Sequence, residues 1–207
     1  MDKTVDQLVD QARNGDEHAL MQLFQSHRDR LARMVHLRMD RRVQARVSES
    51  DVLQEAYLDL AQQLPNYAKQ PDLPFFLWLR RITGQRLAKV HRLHLGQAKR
   101  AVGREVSYGE SPVTEASSIY LAADLVDQMT SPSGRMVREE ALAKVQEAID
   151  TLADPDREII ALRHGELMSN EEIALLIGIS SKAASMRYTR AILRLKDALD
   201  DASGILD

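Results

Sequence analysis

The chain has 207 residues, 44% hydrophobic and 29% charged, which suits one or two globular domains that each bury a core. It has no Cys, so disulfides, thiolate zinc sites and thiol catalysis are excluded together, and a reducing, cytoplasmic setting is expected. A net charge of −3 argues against coating nucleic acid by bulk charge and leaves local patches open.

Aromatics make up only 4%, while Leu, Ala, Arg, Glu and Gln recur, which favours helix over sheet. No stretch alternates apolar and polar residues with period two, and no tandem repeat is visible. An all-α fold of two small helical domains is therefore expected. No apolar run approaches the roughly 18 residues that span a membrane. The acidic, amphipathic start MDKTVDQLVD is unlike a signal peptide.

In chain order, the first strong helix signal is SESDVLQEAYLDLAQQLPNY, read as a helix from about Ser50 to Leu64. Val52, Leu53, Ala56, Tyr57, Leu60 and Leu64 form its inward face. Asp51, Glu55, Asp59 and Gln62 form the outer face, with Gln54 at its edge. Carboxylates four residues apart also occur in metal and acid/base sites, but these point away from the apolar face and imply no pocket. Pro71 and Pro74 then mark a loop.

The next helix begins FFLWLRRITGQRLAKVHRLH. Phe75, Leu79, Ile82, Val90 and Leu93 share its inward face, and Trp78 lies near the edge. Core packing is the simpler reading for these aromatics; stacking on unpaired bases is the other. The outer face carries Arg80, Arg81, Gln85, Lys89 and Arg92, and no Asp or Glu occurs from Leu73 to Arg104. A solvated face normally mixes signs, so this one points to a polyanion. His91 and His94 have a spacing a metal could use, but no acid or Cys stands beside them.

From Glu105 to Gly134 the pattern inverts: five acids, no Lys or Arg, and Gly, Pro, Ser and Thr between them. This reads as part of an acidic linker over 97–134, with a short helix around Ile119 to Val126. It separates an N-terminal helical domain, 1–96, from a C-terminal one, 135–207. The linker is a solvated spacer, or its acidity lets it lie in a basic channel of a partner.

The C-terminal part continues with LADPDREIIALRHGELMS, where Asp154 caps a helix, Pro155 suits its first turn, and Gly165 ends it. Ser169 and Glu172 then form a capping box, Gly178 permits a tight turn, and Ser180 caps a longer helix. Ala184, Tyr188, Ala191, Ile192, Leu195 and Leu199 make the inward stripe of that helix. Two helices joined by a short Gly-containing turn form a helix-turn-helix within a bundle of about four helices. Opposite the stripe project Lys182, Met186, Thr189 and Arg190, flanked by Ser181, Ser185 and Arg187. Lys and Arg donate to guanine, Ser bonds either way and Met packs on a thymine methyl, so the outer face suits a major groove. The bland alternative is an antiparallel helix pair with a solvated outer face.

Taken together, SDVLQEAYLDLAQQL, FFLWLRRITGQRLAKVHR, the linker and the helix-turn-helix resemble a bacterial RNA polymerase sigma factor of the small extracytoplasmic-function type. The resemblance spans nearly the whole chain in the right order. It implies a non-enzymatic protein without cofactors that binds core polymerase, directs it to promoters and helps open the duplex. It further implies that Asp51, Gln54, Glu55 and Asp59 face the clamp helices of the β′ subunit. The loop around Asn66, Tyr67 and Lys69 would capture a flipped base of the minus-ten element, and Arg80, Arg81, Gln85 and Lys89 would line that DNA. Ser181, Lys182, Ser185, Met186, Arg187 and Arg190 would read the minus-thirty-five element, with the β flap as a further polymerase contact. An anti-sigma partner is common in such proteins. The chain departs from the family where Gln85 replaces a frequent Asn, Lys89 an acid, and Ala183-Ala184 the usual Thr-Val pair. These departures bear on promoter sequence rather than on fold. The rival reading, a ligand- or dimer-regulated repressor or activator with the same motif, has no use for the acid-free helix in its N-terminal part. An enzyme would need a phosphate loop, a nucleophile set or a metal cluster that the sequence lacks.

Overall fold

The computed structural model describes residues 4–67, 73–95, 115–129 and 135–204. Every regular element among the described residues is helical. The chain divides into two compact units, Met1–Glu110 and Ser111–Asp207, each with its own buried core.

In the first unit, α1 (Val5–Arg13) opens on a capping box in which Thr4 and Gln7 bond each other's backbone. Asp16 caps α2 (Glu17–Arg38) by accepting from the His18 and Ala19 N–H groups at 3.0 and 3.1 Å. A short turn, α3 (Arg41–Gln44), precedes α4 (Glu49–Tyr67). Ser48 Oγ accepts from Asp51 N–H at 3.1 Å while Asp51 Oδ2 accepts from Ser48 N–H at 3.0 Å, and this reciprocal cap starts α4 just ahead of Ser50. Val52, Leu53, Ala56, Leu60 and Leu64 are buried, as their helical spacing predicts. The last main helix, α5 (Phe75–His94), packs against both α2 and α4, and α3 rests on it. Trp78 is 1% exposed and sits in an aromatic cluster with Tyr67 and Phe75, so it is a core residue.

The second unit contains α6 (Glu115–Met129), α7 (Arg135–Thr151), α8 (Asp154–Ile160), α9 (Asn170–Ile177) and α10 (Ser181–Gly204). α6 lies within the stretch read as linker, yet it packs on α7 and buries Leu121, Ala122, Leu125 and Val126. Those residues recur at i, i+1, i+4 and i+5, a stripe that an apolar neighbour rewards. Asp127 of α6 and Arg138 of α7 add an exposed ion pair. The helix expected from Asp154 to His164 also differs in detail. Ala153 holds the cap position, Asp154 is the first helical residue, and Arg157 bonds its carboxylate. From Ala161 to Gly165 the helix widens into a π turn, whose end is marked by Glu166 N–H bonding the Ala161 carbonyl at 2.9 Å. No described helix is long and apolar enough to cross a membrane.

Candidate nucleic-acid interface

The helix pair α9 and α10 is set by local chemistry. Ser169 Oγ accepts from Glu172 N–H at 3.1 Å and Glu172 Oε2 accepts from Ser169 N–H at 2.8 Å, which fixes the start of α9. Gly178 ends it at φ +70°, a left-handed conformation that costs glycine little. The Ile179 N–H bonds back to Ala174 O at 3.0 Å, and Ser180 Oγ accepts from Ala183 N–H at 3.1 Å to start α10. The second helix is thereby re-aimed within a few residues.

That aim buries one stripe of α10 and exposes the other. Ala184 and Ala191 are fully buried and Leu195 nearly so. Lys182, Met186, Thr189 and Arg190 are exposed, while Ser181, Ser185 and Arg187 are half-buried beside them. At rest the outer side chains bond locally: Thr189 Oγ1 donates to Ser185 O at 3.0 Å and Arg190 Nε to Met186 O at 3.3 Å. These bonds are solvent-exposed and easily traded for other acceptors. Leu193, 54% exposed one turn beyond, lengthens the outer stripe and was not singled out from the sequence.

Two side chains hold α10 from behind. Arg194 pairs with Asp156, a buried carboxylate on α8. His164, in the π turn, meets the Tyr188 hydroxyl at 2.7 Å through Nε2. Burial lowers the His164 pKa, with Asp124 and Arg163 acting in opposite directions on it. Neither partnership is legible in the sequence, because residues 38 and 24 positions apart carry no local signal.

In the first unit, Arg81 and Gln85 are half-buried on α5, and Lys89 and Arg92 are exposed. Arg80, read as outward-facing, is a correction: it is 4% exposed. One-face periodicity assumes one neighbour, whereas α5 enters against both α2 and α4, so Phe75 through Arg80 are all buried. On α4, Asp51, Gln54 and Glu55 are exposed. Asp59 instead receives a forked pair of bonds from Arg86, one at 2.7 Å, and Glu55 lies 3.3 Å from the same guanidinium. Arg86 thus ties α5 to α4, a role with no local signal in the sequence. Leu58, 48% exposed, gives this acidic face an apolar centre that the sequence reading left out. Tyr67 packs edge-on to Phe75 at 5.4 Å, and its hydroxyl donates to Leu73 O at 3.0 Å. The Asn66 side chain and Lys69 lie outside the described residues. His91 accepts from the Asp40 N–H at 3.2 Å through Nε2, and no group of metal-binding side chains is found among the described residues.

Residues 142–195, which include α8, the π turn, α9 and most of α10, match the family model for Sigma-70, region 4. The whole chain is similar to the ECF RNA polymerase sigma factor SigD of Mycobacterium tuberculosis, 28% identical over 94% of this chain and 84% of that protein. It is also similar to the RNA polymerase sigma-H factor of Pseudomonas aeruginosa, 27% identical over 95% of this chain and 92% of that one. Among solved structures, CnrH in complex with the cytosolic domain of CnrY matches with a TM-score of 0.54 and 25% identity, covering 94% of this chain and 96% of CnrH. The chain is an RNA polymerase sigma factor of the extracytoplasmic-function type.

This sigma factor is therefore a DNA-binding regulator that directs promoter-specific transcription initiation. The region 4 match falls on the elements whose geometry already singled out α10. The similarity to full-length sigma factors extends through the first unit, which carries the acidic face of α4 and the basic stripe of α5.

Proposed function

We propose a division of labour between the two units of this sigma factor. The exposed face of α10, with Lys182, Met186 and Arg190 at its centre and Ser181, Ser185 and Arg187 beside it, reads the minus-thirty-five element in the major groove. The observation that carries this is the sidedness of α10: a fully buried Ala184 and Ala191 behind, a basic and exposed stripe in front. In the first unit, the exposed Asp51, Gln54 and Glu55 dock on the clamp helices of the polymerase β′ subunit, with Asp59 acting through Arg86. Opposite charge on the two surfaces steers and orients that docking. Arg81, Gln85 and Lys89 line the minus-ten DNA, and the segment from Asn66 through Tyr67 and Lys69 captures a flipped base. Unstacking that base costs a few kcal/mol, so its capture favours the open complex. Phosphate contacts position the protein and a few side chains specify bases. The second unit additionally meets the β flap.

This role needs no catalysis and no cofactor from the chain itself, and it operates in the cytoplasm where polymerase and promoters meet. CnrH is a sigma factor solved with the cytosolic domain of CnrY, and a similar anti-sigma partner for this chain would mask its polymerase-binding faces. The test is run-off transcription from a randomised promoter library with core polymerase, with and without this protein. Discrete new starts preceded by two short motifs at fixed spacing are expected only when it is present. The absence of new starts, with core binding intact, would overturn the reading.

A further inference from the structure

The sequence between Arg28 and Arg46 holds seven Arg against two Asp, in a protein whose net charge is −3. The fold does not disperse this charge. Arg38 is buried, but Arg41, Arg42 and Arg46 on and beside α3 are exposed. The acids nearest in sequence are already engaged, Asp40 with Arg42 and Glu49 with His36. Arg41 and Arg46 form no ion pair with any described residue.

The α3 turn is rigidly held and fastened to the basic helix. Asp40 Oδ1 accepts from Arg42 N–H at 2.8 Å, and the Arg42 guanidinium grips the same carboxylate at 2.7 and 3.0 Å. Val43 is fully buried beneath the turn, and the Asp40 N–H donates to His91 Nε2 of α5 at 3.2 Å. His91 is the residue before Arg92 and two after Lys89, both exposed. The α3 turn therefore abuts α5 at His91, within the part of the helix that carries Lys89 and Arg92.

We infer that α3 is a second phosphate-binding surface of this sigma factor, in which Arg41 and Arg46 extend the DNA track of α5 along the promoter backbone. This rests on the proposed reading of α5 as a DNA-lining helix. The chemistry favours nucleic acid over a protein partner. The exposed face of α4 is acidic and takes a cationic surface, which α3 would repel. The buried Val43 leaves α3 no large apolar side chain to anchor a protein. Exposed guanidinium forks on a pre-ordered turn match phosphate oxygens at little ordering cost. The contacts would be blind to sequence, because phosphates carry no base identity.

The test uses full-length protein with core polymerase on a promoter fragment recovered from the run-off selection, titrated over a series of salt concentrations. For Arg41→Ala with Arg46→Ala, promoter affinity should fall several-fold and the slope of log K against log salt should shrink by about 2, near 0.9 per lost phosphate contact on duplex. Core affinity and promoter sequence preference should be unchanged, and Arg41→Lys with Arg46→Lys should restore most of the slope. An unaltered affinity and slope would overturn the inference. So would a loss confined to core binding, which would assign α3 to polymerase. If the wild-type protein supports no promoter-dependent transcription, the underlying functional reading fails instead, so the two failures are distinguishable.

Discussion

At the scale of single residues, the outer face of α10 divides into side chains that touch DNA and side chains that hold the helix still. Lys182 and Arg190 project from it, and their replacement by Ala should each cost about 1–3 kcal/mol of promoter discrimination if they read bases. Filter binding of the polymerase complex to the selected promoter measures this, and core affinity should not move. Unchanged transcription from that promoter would remove both residues from the reading surface. His164 works from behind, at 2.7 Å from the Tyr188 hydroxyl. Burial lowers its pKa below the ordinary 6.5, against the opposing pull of Asp124. The unfolded chain then binds a proton that the folded one refuses, so stability falls as pH drops through about 6.5 toward the lowered folded value. His164→Gln keeps a hydrogen-bonding group and loses the titration. Thermal melts at pH 7.5 and 5.5 should show a smaller acid-induced drop for the variant than for the wild type. These residue-scale partnerships were hidden in the sequence, since Asp156 with Arg194 and His164 with Tyr188 meet only when distant segments pack.

At the scale of elements, local signals predicted most starts and stops. The Ser169–Glu172 box, the left-handed Gly178 and the Ser180 cap stand where their chemistry requires, because each acts within a few residues of itself. Gly178 makes a clean test. An added Cβ would meet nothing within 4 Å, so the only penalty is backbone strain at φ +70°. Gly178→Ala should destabilise the second unit by about 1–2 kcal/mol, and Gly178→Asn by less, because Asn enters the left-handed region more readily. Urea denaturation followed by circular dichroism would show this order; equal effects would mean the turn has relaxed. At Arg80 periodicity misled because the helix has a second neighbour. Arg80 looked outward on a one-faced helix, but the first turns of α5 are enclosed by α2 and α4. The stretch around α6 looked like spacer because its acids dominate its composition, yet its apolar stripe packs on α7. The π turn at Ala161–Gly165 follows from no residue preference that we can identify.

At the scale of the whole molecule, charge is segregated rather than balanced. An acid-free stretch runs from Leu73 to Arg104, and the exposed face of α4 is acidic. A protein with net charge −3 should bind free DNA weakly at physiological salt and gain promoter affinity when core polymerase supplies the rest of the DNA track. Asp51→Arg with Glu55→Arg should abolish co-purification with core polymerase; both side chains are exposed, so the structural cost is confined to the Ser48 cap and the Glu55–Arg86 pair, and circular dichroism should show helical content close to wild type. Retained co-purification would remove α4 from the docking surface. The helical class, the helix-turn-helix and the contrast between acidic and basic helices were all determined by sequence alone, through periodicity, capping and composition that act over a few residues. Tertiary structure alone decided which charges remain available. It buried Arg80, committed Asp59 to Arg86, and set the exposed arginines of α3 beside the basic stripe of α5. The physical reason is that burial and ion pairing depend on which segments meet, and a charge is free to act on a partner only if no neighbour in the fold has already taken it.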